Sequence, residues 1–256
     1  MDIKNKTAIV TGGASGLGKA TVERYIADGA NVAIFDLDEH GGLALAESLG
    51  ERAMFCKVNV ADEASVAEAV TQVIDTFGAL HILNNYAGIG SACKTYGKNG
   101  PHPLDSYMKV VMVNQVGTFN MARLAAERMA ANEPVNEDGV RGVIINTASV
   151  AAYEGQVGQV AYSATKGAVV GMTLPMAREL ASYGIRVNTI VPGLIHTPLF
   201  EAVEESYYKS LEASTVFPQR LGKTSEIAAL SAHIVENDYI NGECIRMDAG
   251  IRMQPR

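Results

Sequence analysis

Tyr162 and Lys166 stand four residues apart in the run Y-S-A-T-K, and Ser149 stands thirteen residues before the tyrosine. On a helix, side chains at i and i+4 lie on one face, one turn apart. Ser149 follows the apolar run V-I-I-N-T at residues 143–147, which reads as a buried strand opening onto a loop. A phenol, an ammonium and a hydroxyl can therefore meet where a strand ends and a helix begins. A free tyrosine has a pKa of about 10 and is a poor base at neutral pH. A nearby ammonium favours the phenolate and lowers that value, and a bound oxidised nicotinamide adds a second positive charge. Bringing the pKa near 7 needs roughly 4 kcal/mol, which two close cations shielded from water can supply. Tyr162 would then take the proton of an alcohol while Ser149 holds the substrate oxygen and hydride leaves for the dinucleotide. Taken alone, a Tyr-x-x-x-Lys pair reads more readily as two exposed helix residues. The serine, together with a glycine-rich turn near the N-terminus, singles this pair out.

That turn is T-G-G-A-S-G-L-G at residues 11–18, between a short β-prone run at 7–10 and an amphipathic helix that stops at Gly29. Strand, glycine turn and helix together make a pyrophosphate cradle: glycine lets backbone approach the phosphates, and the helix N-terminus favours their charge. Gly12, Ser15, Gly16, Leu17 and Gly18 are the candidate contacts. The next strand, residues 31–36, ends on Asp36, eighteen residues after Gly18. An acid there accepts hydrogen bonds from the adenosine ribose and repels a 2′-phosphate. Leu37 follows where an arginine would grip that phosphate, so the cofactor reads as NAD rather than NADP. Asp36 also reads as the cap of the helix at 39–49. The third strand, residues 54–60, ends Asn59-Val60, where an adenine edge can be held.

These groups need a scaffold. Strand patterns recur at 80–84, 143–147, 185–191 and 243–248, and helix patterns at 63–77, 104–132 and 223–236, while the helix carrying Tyr162 and Lys166 continues over 167–183 through Pro175. Asn114 is a polar residue in the apolar middle of the 104–132 helix. It either satisfies local backbone or orders a water near the lysine. Alternation of strand and helix implies an α/β fold, a single doubly wound, Rossmann-like domain over residues 1–256. Its seven-stranded parallel sheet carries helices on both faces, and ligands bind beyond the carboxyl ends of the strands. Residues 198–222 read as a substrate lid. Residues 91–103, with Lys94 and Lys98, read either as a loop overhanging the substrate or as a solvated surface loop.

Composition narrows the function classes. The 256 residues are 48% hydrophobic with no tryptophan, so the core is aliphatic. A net charge of −7 argues against nucleic acid as a partner. Cys56, Cys93 and Cys244 are odd in number and far apart, and the five histidines are scattered, so no metal site is expected. No apolar run is long enough to span a membrane, and no signal peptide is visible at the N-terminus. The cytoplasm is the expected setting.

At this point the motifs gather into a resemblance. The chain resembles the short-chain dehydrogenase/reductases along its whole length. T-G-G-A-S-G-L-G resembles their cofactor turn, and Asn85-Tyr86-Ala87-Gly88 their Asn-Asn-Ala-Gly, which brings Ala87 and Gly88 into the cofactor set. Asn114, Ser149, Tyr162 and Lys166 match their catalytic tetrad. Pro192-Gly193, Ile195 and Thr197 fall in the segment that holds the nicotinamide carboxamide. Tyr86 departs from the second asparagine of their motif, Asn59 stands where an aspartate is usual, and His196 precedes Thr197. The stretches at 141–152, 154–159, 170–175, Lys94-Thr95-Tyr96 and 251–255 are similar to one group in the family. That resemblance implies use of NAD, oxidation of 3-hydroxyacyl-CoA esters and some steroid alcohols, and a homotetramer. The expectation is an NAD-dependent secondary-alcohol dehydrogenase of a small-molecule acyl-CoA. A hydroxysteroid dehydrogenase and a non-catalytic nucleotide-binding subunit are the competing readings.

Overall fold

Seven short runs pair into one parallel sheet: β1 (Thr7–Thr11), β2 (Asn31–Asp36), β3 (Ala53–Lys57), β4 (Ile82–Asn85), β5 (Gly142–Thr147), β6 (Ile185–Pro192) and β7 (Cys244–Met247), the inner five largely buried and the edge strands β3 and β7 half-buried. The computed structural model describes residues 1–90, 92–198 and 204–255. Strand order is β7-β6-β5-β4-β1-β2-β3. The apolar residues of each strand alternate between two helix-covered cores. Ile9, Phe35, Leu83 and Ile144 face one; Val10, Ile34, Ile82 and Ile145 face the other. Continuous apolar strands of this kind are what a sheet buried on both faces requires.

The covering helices are α1 (Gly16–Ala27), α2 (Glu39–Leu49), α3 (Glu63–Phe77), α4 (Leu104–Val110), α5 (Gly117–Ala130), α6 (Val160–Leu180), α7 (Glu205–Ala213) and α8 (Thr224–Glu236). Asp62 caps α3 by accepting the Ser65 N–H at 3.0 Å. Asp38, not Asp36, caps α2, accepting the Gly41 N–H at 3.0 Å. The cap reading of Asp36 is therefore corrected: its Oδ1 accepts the N–H of Asp38, the cap residue, at 3.1 Å, and its Oδ2 turns to the glycine turn.

Several boundaries differ from the sequence reading for identifiable reasons. The stretch read as one helix over 104–132 is broken by a π segment, Val111–Val116, between α4 and α5. It ends at Ala130, because the Asn132 side chain leaves the helix to donate to the Leu80 and Arg141 carbonyls at 2.6 and 3.0 Å. β3 stops at Lys57, so Asn59 and Val60 lie in the turn beyond it. The segment read as a loop over 91–103 folds back as a two-residue ladder, Tyr96–Gly97 with Gly100–Pro101; Ser91 lies outside the described residues. Of the segment 198–222, α7 is described and residues 199–203 are not. Its two flanks are joined by a short parallel pairing of Ile195 with Gly222 and His196 with Lys223.

Register sets where the site forms. Thr11 pairs with Phe35 and Asn85, Asn85 with Asn146, and Asn146 with Thr189. Gly12, Asp36, Tyr86 and Thr147, each one residue further on, therefore share one rim of the sheet. The strand order reverses between β1 and β4, and a doubly wound sheet opens its ligand crevice at such a point.

Candidate active site

Two cavities occupy that rim. One, about 500 Å³, is lined by Gly12, Ser15, Gly16, Leu17, Gly18, Asp36, Asn59, Val60, Ala87 and Gly88. The other, about 460 Å³, is lined by Ser149, Tyr162, Lys166, Ile195 and Thr197. Leu17, Tyr86, Gly88 and Ile89 line both, so the two form one trough.

The glycine turn is built to let something lie close to its backbone. Gly12 and Gly16 have φ of +63° and +53°, where a side chain is strained. A Cβ on Gly12 would stand 2.9 Å from the Ala87 nitrogen, and one on Gly18 would overlap the Gly12 carbonyl. Ser15 caps α1 without a side-chain hydrogen bond, leaving the first-turn N–H groups for an anion. The Asp36 carboxylate accepts the Ala14 N–H at 3.0 Å and so leans back over the turn. The trough thus offers a backbone cradle in its middle, a carboxylate at one end and the Ser149–Tyr162–Lys166 group at the other. These residues fit a dinucleotide.

At the second end, Lys166 is 5% exposed and its Nζ donates to the Thr147 carbonyl at 2.7 Å. The same Nζ stands 5.7 Å from the centre of the Tyr162 ring. Burial lowers its pKa to about 8, so the ammonium still predominates at neutral pH. The lysine and a bound oxidised nicotinamide are the cations expected to lower the Tyr162 phenol, and burial opposes them. Burial raises the phenol above its ordinary value, and only the Ser149 hydroxyl beside it works the other way. In a site this dry the cost of desolvating an anion outweighs what the protein's own groups return.

Asn114 lies on the π segment, fully buried. Its amide clamps Ile89: Nδ2 donates to the Ile89 carbonyl at 2.9 Å and Oδ1 accepts the Ile89 N–H at 2.8 Å. The side chain thus satisfies backbone, one of the two readings. It lines neither cavity itself but holds a residue that lines both.

Other wall residues went unread in the sequence. Gln159 lines the cavity of Ser149, Tyr162 and Lys166 and accepts the Gln156 N–H at 2.9 Å. It sits three residues before Tyr162, a spacing that shares a helix face and was available as a signal. Met253 lines the same cavity from the C-terminal tail. Its N–H donates to Glu154, which also holds Arg246 at 2.9 Å, and the Pro255 carbonyl accepts the Val157 N–H. Nothing local in the sequence marks that docking. Lys109 and Val113 border the glycine-turn cavity from the helix carrying Asn114. Among the described residues no helix is long and apolar enough to cross a membrane, and no group of three metal-ligating side chains gathers.

Comparison with known proteins adds to this geometry. A family model described as short chain dehydrogenase matches residues 6–207. The chain is 51% identical over 255 residues to the "3-hydroxyacyl-CoA dehydrogenase type-2" of Drosophila melanogaster, covering 99% of this chain and 100% of that one. It is 50% identical to the protein of the same description from Homo sapiens, covering 99% and 97%. The crystal structure of 3-hydroxyacyl-CoA dehydrogenase type-2 from Mycobacterium avium superposes with a TM-score of 0.94 at 42% identity, covering 100% of both chains.

Proposed function

The chain belongs to the short-chain dehydrogenase family, and we propose that it interconverts a 3-hydroxyacyl-CoA and the 3-oxoacyl-CoA with NAD. Membership makes it an oxidoreductase that takes a small-molecule substrate and a nicotinamide cofactor. The choice of NAD over NADP is supported by the Asp36 carboxylate at the end of the trough, with Leu37 beside it. The choice of acyl-CoA is supported by relatives so described at about half identity over nearly the whole chain.

The observation that carries the proposal is the convergence of Ser149, Tyr162 and Lys166 on one cavity that runs into the glycine-turn cavity. When bound, the oxidised nicotinamide supplies the hydride acceptor and a positive charge. Tyr162 takes the carbinol proton at its phenol oxygen. Ser149 holds the substrate oxygen. Lys166 keeps a positive charge beside the phenol and is the group assigned to the ribose. Asn114, its side chain held on Ile89, orders a water in the proton path. Gly12, Ser15, Gly16, Leu17 and Gly18 hold the pyrophosphate, Asn59 and Val60 border the adenine, Ala87 and Gly88 back the central ribose, and Ile195 and Thr197 meet the carboxamide. Residues 198–222 serve as the lid.

The homotetramer is part of the same proposal. It is supported by the apolar side chains between α5 and α6, with Phe119 49% and Tyr183 54% exposed; light scattering tests it. The cytoplasm is supported by three free thiols, Cys56, Cys93 and Cys244.

The test of the activity is NADH oxidation with acetoacetyl-CoA and, in parallel, a ketosteroid. Acetoacetyl-CoA should give the higher kcat/KM; the reverse order would assign the chain to steroid alcohols. Tyr162→Phe should fold, bind NADH and lose turnover by about a thousandfold. A Tyr162→Phe enzyme of ordinary activity overturns the assignment.

A further inference from the structure

Tyr86 stands at the junction of the two cavities and lines both. Its backbone is tied to the end of β1: the Tyr86 and Ala87 N–H groups both donate to Thr11 Oγ1 at 3.1 Å. Its side chain turns inward, away from the hydride chemistry, and enters a set of polar groups that this chemistry does not use.

The phenol oxygen of Tyr86 lies 3.0 Å from Thr21 Oγ1, which itself lies 3.0 Å from the Leu17 carbonyl. A hydroxyl has one hydrogen and a carbonyl only accepts. Thr21 therefore shares its one hydrogen between the Leu17 carbonyl and the Tyr86 phenol oxygen. Asn84 Nδ2 reaches the Tyr86 oxygen at 3.5 Å and the Ser231 hydroxyl at 2.6 Å. The Tyr25 phenol donates to Asn84 Oδ1 at 3.0 Å and lies 2.9 Å from the Ser231 hydroxyl, which completes the set by donating to it. Thr21, Tyr25, Asn84 and Ser231 are each 0% exposed. Burial holds both phenols protonated, well above their ordinary values.

The result is a dry hydrogen-bonded network drawn from α1, β4 and α8, which ends on the Leu17 carbonyl inside the glycine turn. Leu17 lines both cavities, as Tyr86 does. A satisfied buried network is rigid, whereas one with a member missing leaves an unpaired polar group that must move or find water. This network couples the first turn of α1 to the turn after β4, the two walls between which the middle of a dinucleotide would lie.

We propose that Tyr86 is a cofactor-positioning residue, its ring forming the floor beneath the central ribose and pyrophosphate, and that the Thr21–Tyr86–Asn84–Ser231–Tyr25 network fixes that floor against the glycine turn. The inference rests on the nicotinamide-dinucleotide reading of the trough. Ser231 lines neither cavity, so any effect it has on the cofactor must travel through Tyr86 and Leu17.

The test is NADH binding to the full chain, followed by the emission of the nicotinamide, with Tyr86→Phe, Ser231→Ala and the double variant. Loss of one buried hydrogen bond at the floor should weaken NADH binding by about tenfold in Tyr86→Phe. Ser231→Ala should weaken it by about threefold, and the double variant should fall close to Tyr86→Phe alone, because coupled sites are not additive. KM for NAD should rise in step, while kcat at saturating NAD stays within about twofold. Should both single variants lower Tm yet leave the NADH Kd within about twofold, the network is core packing and the proposal falls. If Tyr86→Phe does not fold, Ser231→Ala decides on its own. Failure of the unsubstituted chain to bind NADH sinks the cofactor reading itself, a separate outcome.

Discussion

The Lys166 ammonium donates to the carbonyl of Thr147, the last residue of β5, and stands 5.7 Å from the centre of the Tyr162 ring on its own helix. One cation thus joins the strand end that leads to Ser149 to the helix that carries Tyr162. It places charge beside the phenol and also struts the two halves of the proposed Ser149–Tyr162–Lys166 group together. Lys166→Met should keep the fold, leave a buried carbonyl unpaired at a cost of about 1–3 kcal/mol, and lose turnover by about a thousandfold. Lys166→Arg should not restore it, since a planar fork cannot replace a compact ammonium in this space. Calorimetry and steady-state kinetics on both variants check this; an active arginine variant would mean that charge alone suffices.

Cofactor choice is expected to follow Asp36. Asp36→Ala with Leu37→Arg removes the carboxylate and supplies a cation for a 2′-phosphate. KM for NAD should rise by at least about tenfold, with NADP becoming usable. Because Asp36 also accepts the Ala14 N–H, the variant should lose about 1 kcal/mol of stability as well. Kinetics with both cofactors, alongside urea melts, separates the two effects. Unchanged preference would show that another group reads the ribose.

His196 and Tyr208 link the segment before Thr197 to α7: the Tyr208 hydroxyl lies 3.0 Å from His196 Nδ1, and the rings meet edge-on with centres 5.7 Å apart. If residues 198–222 cover the substrate, Tyr208→Phe should raise KM for the acyl-CoA by about threefold while leaving KM for NAD unchanged, as expected for loss of one exposed hydrogen bond. A change in KM for NAD alone would place the link on the cofactor side.

Acid stability should depend on His81. Its imidazole accepts the Thr7 N–H at 3.2 Å at the start of β1, and burial together with the nearby Lys6 lowers its pKa to about 4. An unfolded histidine titrates near 6.5. Between these values the unfolded chain binds a proton that the folded chain refuses, so stability falls as pH drops from about 6.5 towards 4. The loss is at most about 3 kcal/mol for one group. His81→Gln should flatten that slope in urea melts at successive pH values. A variant with an unchanged slope would assign the acid sensitivity to other groups.

Much of this protein was legible along the chain because the informative features are local. Strand period and β-branched runs gave the seven strands, and glycine between strand and helix gave the cradle. Helical spacing put Tyr162 and Lys166 on one face, and a strand end placed Asp36 at the rim. Errors fell where a side chain overruled local pattern. Asn132 drew the chain off its helix to reach Leu80 and Arg141, and Asp38 took the cap that Asp36 could have filled.

Only the tertiary structure decided the rest, because those features depend on residues far apart in sequence. The adjacency of β1 and β4 closes the trough between Gly12 and Ala87. The tail brings Met253 against the short helix Ala151–Glu154, about a hundred residues earlier, through Glu154. Whether Tyr162 is acidified by its neighbours also depends on how much water the fold removes, and burial, which no spacing encodes, works to raise the phenol. The network from Tyr25 to Tyr86 spans residues 21 to 231. A sequence lists its five polar side chains; only the packing of α1 and α8 against β4 makes them one dry unit.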